Sequence, residues 1–359
     1  MIGLLDDAAR ARMDAAIDRS LQRLEQRAAR LGEAAIALAA AATAATSDGK
    51  RLRPALVVAS YRAFVGHADA SSEVDHDAIW DIAAALELLH SAFVVHDDLI
   101  DRDLERRGIP NVSGRFRTRA QAFGATPEQS ATVGDAAAVL AGDLLLFEAS
   151  RLVADADVDH ATRRALFEII DDAILVSAVG ELADVEHAAR ADYPDTDALL
   201  DAAHDKTAAY SFEAPLLAGA VMAGASDAAR TQLSLAAADL GLAFQLVDDL
   251  IGTFGSRSQA GRAPGADLRE AKRTPLIALA RDTAAWPRVS SALAVAHTGP
   301  IAVRRAQKEL EASGARDDLV ALIDDRLRRA RTRAASPLLP AAAVALLAEV
   351  AGTIERRIP

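Results

Sequence analysis

The 359-residue sequence contains no cysteine. Disulfides, thiolate metal sites and cysteine nucleophiles are therefore excluded. Aromatic residues are scarce, at 4%, and no stretch alternates polar with apolar residues over the length of a strand, so a sheet-based architecture is not expected. Basic charge is in deficit as well. Lys and Arg number 40 against 52 Asp and Glu, a formal net charge of −12, which argues against nucleic acid or an anionic membrane as partner. The first residues, MIGLLDDAARARMD, put acids where a secretory leader is basic, and the run from Ala34 to Thr46 is too short to span a bilayer. The expectation is a cytoplasmic protein with no nucleic acid partner and no stable membrane insertion. Three catalytic loops are missing too: no Walker-type glycine loop precedes a lysine, and neither HExxH nor GxSxG occurs.

Alanine, other aliphatics and acids make up much of what is present. Hydrophobic residues reach 51%, ample for a core, and abundant small side chains favour closely packed helices. Helical spacing runs through 1–46, 54–65, 78–101, 126–152, 161–185, the segment after Asp195, 226–251 and most of 275–357, while 108–125 reads as irregular. Thr126, Pro127 and Gln129 form a helix start. No internal repeat or linker interrupts this pattern. The expected fold is all-α, a single helical domain over residues 1–359, larger than the usual limit for one core.

The stretch ALELLHSAFVVHDDLIDRDLERRG, residues 85–108, departs from this background. Glu87, His90, Val94, Asp97, Asp98 and Asp101 recur every three or four residues and share one helix face. Leu86, Leu88, Leu89, Ala92, Phe93 and Val95 occupy the others. A carboxylate carried into an apolar interior needs a cation, a hydrogen bond or a metal. Asp97 and Asp101, one turn apart, can reach the same divalent ion, and hard oxygen ligands suit magnesium. Arg102, Arg106 and Arg107 follow directly. Adjacent aspartates recur at 6–7, 171–172, 317–318 and 324–325, so a bare pair is a surface feature of an acidic chain. The third acid, the apolar flanks and the arginines set the first stretch apart.

Similar logic appears at FQLVDD, residues 244–249, where Gln245, Asp248, Asp249 and Gly252 share a face. Cations gather at Lys50–Arg53, where a break at Ser47, Asp48 and Gly49 precedes a new helix and its free N–H groups. Others lie at Lys206 and from Arg262 to Lys272. Acids on helices together with local cations describe a site for metal and polyphosphate.

Five motifs, GKRLRP at 49–54, HSAFVVHDDLIDRDLERRG at 90–108, KT at 206–207, FQLVDD at 244–249 and GADLREAKRT at 265–274, occur in the order of the trans-isoprenyl diphosphate synthases, or polyprenyl synthetases. The chain resembles that family over most of its length. The resemblance implies an all-helical bundle around a deep central cavity and a homodimer. It implies that Asp97 and Asp101 bind two magnesium ions and Asp248 a third, all bridged to an allylic diphosphate such as the dimethylallyl, geranyl or farnesyl ester. Arg106, Lys206, Gln245 and the loop cations Arg262 and Lys272 would hold that diphosphate. Lys50, Arg53, His90 and Arg107 would hold isopentenyl diphosphate, with Thr207 and Asp98 in support. The expected reaction is head-to-tail condensation: the metals and cations neutralise departing diphosphate, and the isopentenyl double bond attacks the allylic cation.

Three positions depart from the family's pattern. Gly252 stands where the second motif ends in an acid, Arg262 replaces a common loop lysine, and Glu181 takes the place of a frequent glutamine. Product length is a steric matter. Ala92, about one turn before Asp97, is small and leaves room for a growing chain, while Phe93 narrows it; geranylgeranyl diphosphate is the expected product, with farnesyl diphosphate as the alternative. A terpene cyclase would share the fold but has no use for the isopentenyl set. A non-catalytic partner subunit would be expected to lose metal ligands, and the first motif is intact.

Overall fold

The computed structural model describes residues 5–47, 49–66, 77–190, 192–260 and 263–359. Helices α1 (Asp7–Ala28), α2 (Glu33–Ala45), α3 (Leu52–Val65) and α4 (Ala78–Ile100) are followed by a two-stranded hairpin, β1 (Glu105–Arg106) and β2 (Ile109–Pro110). Next come α5 (Val112–Ala122), α6 (Pro127–Asp155), α7 (His160–Ala189) and α8 (Thr196–Ala203). A ten-residue π-helix, His204–Glu213, leads into α9 (Ala214–Met222) and α10 (Asp227–Phe254). The remainder comprises α11 (Arg257–Ala260), α12 (Ala266–Arg269), α13 (Pro275–Arg281), α14 (Trp286–Leu293), α15 (Pro300–Ala312), α16 (Ala315–Ala334) and α17 (Ala341–Glu355).

The chain forms two compact units. One comprises the described residues through Ile170 together with Ala218–Gly224, and the other Asp171–Leu217 with Ala225–Pro359. In the first, α4 packs chiefly on α6, with α3 and α1 also against it. Ile82, Leu86, Leu88, Leu89 and Ala92 are almost wholly buried. Helix α4 is long and apolar enough to cross a membrane by length and composition, yet 78% of its apolar window is buried within the protein. The fully buried Glu148 of α6 is neutralised by Arg23 and Arg151 and accepts from Ser20 Oγ at 3.0 Å. In the second unit α10 packs on the π-helix and on α16. Asp239 of α10, 3% exposed, meets Arg333 at 2.7 Å, Arg326 at 3.5 Å and Arg329 at 3.7 Å, all from α16.

Local chemistry accounts for the departures from the sequence expectation. The segment 108–125 is not irregular: Asn111 accepts from the N–H of Gly114 and starts α5. A hairpin of two residues per strand forms because Arg107 (φ 55°) and Gly108 (φ 77°) both adopt the left-handed turn geometry that two-residue hairpins need. Helix α6 begins at the predicted Thr126 and Gln129 capping box. The Lys206 segment is π-helical instead of α-helical, with Gly180 and Gly241 allowing its close approach. A Cβ on Gly180 would lie 2.2 Å from Lys206 N, and one on Gly241 2.6 Å from Ala208 Cβ.

Candidate active site

On α4 the predicted stripe divides by depth. Glu87 is 2% and Asp98 5% exposed, His90 and Asp97 are half-buried, and Asp101, at the helix C-cap, is exposed. The Asp101 N–H donates to the Asp97 carbonyl at 2.8 Å, so the two carboxylates sit one turn apart. Asp98 turns to Arg106, accepting from Nε at 2.9 Å and meeting Nη2 at 2.7 Å. Burial raises its pKa and Arg106 opposes that rise. Arg106 also reaches Asp97 at 3.5 Å. The hairpin thus ties its arginine to the acid motif.

A cavity of about 250 Å³ opens beside this stripe, its lining including Gly49, Glu87, His90, Asp98, Arg106 and Arg107. Burial, and then the charges of Arg53, Arg106, Arg107 and Arg51, push the His90 pKa well below its usual value. The imidazole is therefore neutral at pH 7 within a field of guanidinium groups, an environment that favours an incoming anion. Arg51 plays a structural part: with φ at 52° it bonds to Asp14 at 3.2 Å, the Thr46 carbonyl at 2.8 Å and Glu87 at 2.9 Å. Lys50 is exposed and Arg53 half-buried at the start of α3. The other oxygen of Glu87, Oε2, is buried without a hydrogen-bond partner among the described residues.

The second unit carries the other motif. Gln245 Nε2 donates to Asp249 Oδ1 at 3.0 Å. Burial raises the Asp249 pKa well above the carboxylate range, and Asp267, Asp248 and Asp184 add to the rise while Gln245 opposes it. Asp248 accepts from Arg357, which lies just beyond α17 and whose guanidinium is 4.3 Å from the Phe244 ring centroid. Lys206 lies between Glu181, at 3.0 Å, and Asp184, at 2.9 Å. Glu181 thus gives Lys206 a full countercharge. Thr207 follows on the same π-helix. Lys272 is exposed, 3.8 Å from Glu270, and Arg262 lies outside the described residues.

The acids of each unit suit magnesium. Asp97, Asp101 and Asp248 offer only hard oxygens, and the first two are suitably spaced. Among the described residues no three acidic or histidine side chains form a closed metal cage. Magnesium commonly takes one or two carboxylates and completes its shell with water and phosphate oxygens. No sequence pattern points to Arg357, 109 residues from Asp248, or to His204, which bonds Asp205 at 2.9 Å and Glu213 at 3.0 Å across the π-helix.

Similarity to known proteins follows the same lines. A geranylgeranyl pyrophosphate synthase from Corynebacterium glutamicum, solved with isoprenyl diphosphate and magnesium, has a TM-score of 0.88 at 27% identity, covering 98% of this chain and 99% of that one. The fold is therefore the all-α isoprenoid synthase fold. The polyprenyl synthetase family matches residues 9–306, and the chain belongs to that family. A geranylgeranyl diphosphate synthase of Sulfolobus acidocaldarius is 33% identical over 234 residues, 65% of this chain and 63% of the relative. A (2E,6E)-farnesyl diphosphate synthase of Mycobacterium bovis is 38% identical over 228 residues, 63% and 55% respectively. The chain thus matches less than two thirds of the length of these relatives.

Proposed function

We propose that the chain is a magnesium-dependent prenyltransferase that joins isopentenyl diphosphate to an allylic diphosphate and releases a medium-length all-trans prenyl diphosphate. One observation carries this reading: α4 bears an intact carboxylate motif and, on the same face, a cavity where a neutral His90 lies among arginines. A cyclase has no need of that second anion site.

In this reading Asp97 and Asp101 hold two magnesium ions and Asp248 a third, and these ions neutralise the leaving diphosphate. Arg106, Lys206, Gln245, Lys272 and Arg262 hold the allylic diphosphate. Lys50, Arg53, His90 and Arg107 hold isopentenyl diphosphate. Asp98 positions Arg106, Thr207 supports the Lys206 shell, and the apolar faces of α4 exclude water from the cation. Geranylgeranyl diphosphate is the product we favour over farnesyl diphosphate. The active form is a homodimer, a reading supported by exposed Val133, Leu140 and Phe147, spaced at sevens along α6.

The test is incubation of the purified protein with magnesium, isopentenyl diphosphate and each allylic starter, with products sized by mass spectrometry. Elongated product is expected, and Asp97→Ala should abolish it while leaving the helical spectrum intact. Diphosphate release with a hydrocarbon and no elongation would establish a cyclase instead.

A further inference from the structure

Helix α10 ends at Phe254, and an open cavity of about 580 Å³ begins there, its lining including Phe254, Ile301, Arg304, Arg305, Lys308 and Arg316. That volume is in the range of small-ligand sites. The whole lining belongs to the second unit and contains none of the five motifs. Glu311 is its one acidic side chain. In a chain with a formal net charge of −12, four cations facing one acid invert the prevailing sign.

Two features set this cavity apart from a solvated helix face. Its cations are not spent on neighbours: Arg304, Arg305 and Lys308 of α15 are exposed and pair with no carboxylate among the described residues. The adjacent acid Glu309 turns instead to Arg288 at 3.4 Å. The walls are also fixed. Gln307 Nε2 donates to the Thr253 carbonyl at 2.6 Å and ties α15 to the end of α10. Arg316 donates to the main-chain oxygen of Pro359 at 2.6 Å and lies 5.4 Å from the Phe254 ring centroid, with Nε buried and unpaired among the described residues. Ile301, 78% exposed, stands one turn before Arg304 and Arg305 on α15. An apolar ledge thus lies beside the cations.

We propose that this cavity is a separate anion site for a small phosphate-bearing ligand with an apolar group. Arg304, Arg305 and Lys308 hold the phosphate, since guanidinium and ammonium donors form charge-assisted hydrogen bonds to its oxygens. Phe254 and Ile301 hold the apolar part. A concave wall held by Gln307 and Arg316 suits a small molecule better than a flat surface. The site needs no metal and does not rest on the prenyltransferase reading above.

The test titrates the full chain, in EDTA, with inorganic phosphate and with phenyl phosphate in calorimetry. The two probes share a head group and differ by the ring. Phenyl phosphate is expected to bind several-fold more tightly, and Arg304→Gln combined with Lys308→Gln to weaken both about ten-fold. Ile301→Ser should weaken phenyl phosphate alone. Lys50→Gln combined with Arg107→Gln should leave this binding in place, which separates the site from the cavity beside His90. Wild-type affinity in Arg304→Gln with Lys308→Gln would overturn the proposal, as would equal affinity for the two probes or binding lost in Lys50→Gln with Arg107→Gln. Capture by phosphatidylglycerol vesicles without binding of either soluble probe would make this face a lipid surface and overturn the small-ligand site. The substituted side chains of α15 are exposed, so the helical spectrum should persist. If the double variant on α15 does not fold, Ile301→Ser decides: weakened phenyl phosphate binding supports the site and unchanged binding refutes it.

Discussion

Arg357 places its guanidinium on the carboxylate of Asp248 and stacks over Phe244 at 4.3 Å. The carboxylate assigned to a magnesium ion is thus already neutralised by a side chain at 28% exposure. A cation at Asp248 must displace this guanidinium or share the carboxylate with it. Arg357→Gln is therefore expected to lower the magnesium concentration for half-maximal activity several-fold, because one competing charge is removed. A magnesium titration at saturating substrate measures this. An unchanged or raised midpoint would show that Arg357 does not compete.

That contact also shows where sequence reading stops. The α4 stripe was legible because helical spacing alone puts His90, Asp97 and Asp101 on one face, and the capping box at Thr126 located α6. Asn111 gave a local signal for α5 that the arginines and glycine around it obscured. The packing of Asp267 against Gly252 was not legible: 15 positions apart, they are joined by the fold of a short helix and not by any period. Nor was the π-helix, since its register depends on packing at Gly180 and Gly241 and no residue of HDKTAAYSFE announces it. Charge pairing was the least visible. The sequence placed Arg51 among phosphate-seeking cations, whereas Glu87 and Asp14 give it a structural role.

His204 gives the π-helix a pH dependence. Hydrogen bonding to Glu213, against the opposing effect of burial and with help from Asp205, raises its pKa to about 9. The folded value exceeds the unfolded one, near 6.5. The stabilisation is therefore fully present below about pH 6.5 and is lost as pH rises through about 9. At 32% side-chain exposure it should amount to about 1–2 kcal/mol. His204→Gln is expected to lose that much stability at pH 6 and little at pH 10, as read by denaturant unfolding at both pH values. An equal loss at both would assign His204 to packing alone.

His90 should couple anion binding to proton uptake. Burial and four arginines keep its imidazole neutral in the free protein, and a diphosphate in the same cavity would offset that positive field. Its pKa then rises, so binding takes up a fraction of a proton near pH 7 and tightens as pH falls towards 6. Calorimetry of isopentenyl diphosphate binding in buffers of different ionisation enthalpy reads the proton directly. His90→Gln should abolish His90's share of the uptake; uptake unchanged in that variant would move the coupling to another group.

Product length provides the steric test. Ala92 is wholly buried, whereas Phe93 is only half-buried. Phe93→Ala removes an aromatic ring and should lengthen the product by at least one five-carbon unit. Ala92→Phe inserts a ring and should shorten it, at an overpacking cost of about 1–3 kcal/mol because the site is already full. Product sizing by mass spectrometry, run beside a thermal melt, separates the two effects. A lower melting temperature with unchanged product would leave Ala92 a packing residue and remove it from the chain-length floor. Opposite shifts from the two variants would instead locate the floor on α4, within about one turn of Asp97, where the growing chain begins.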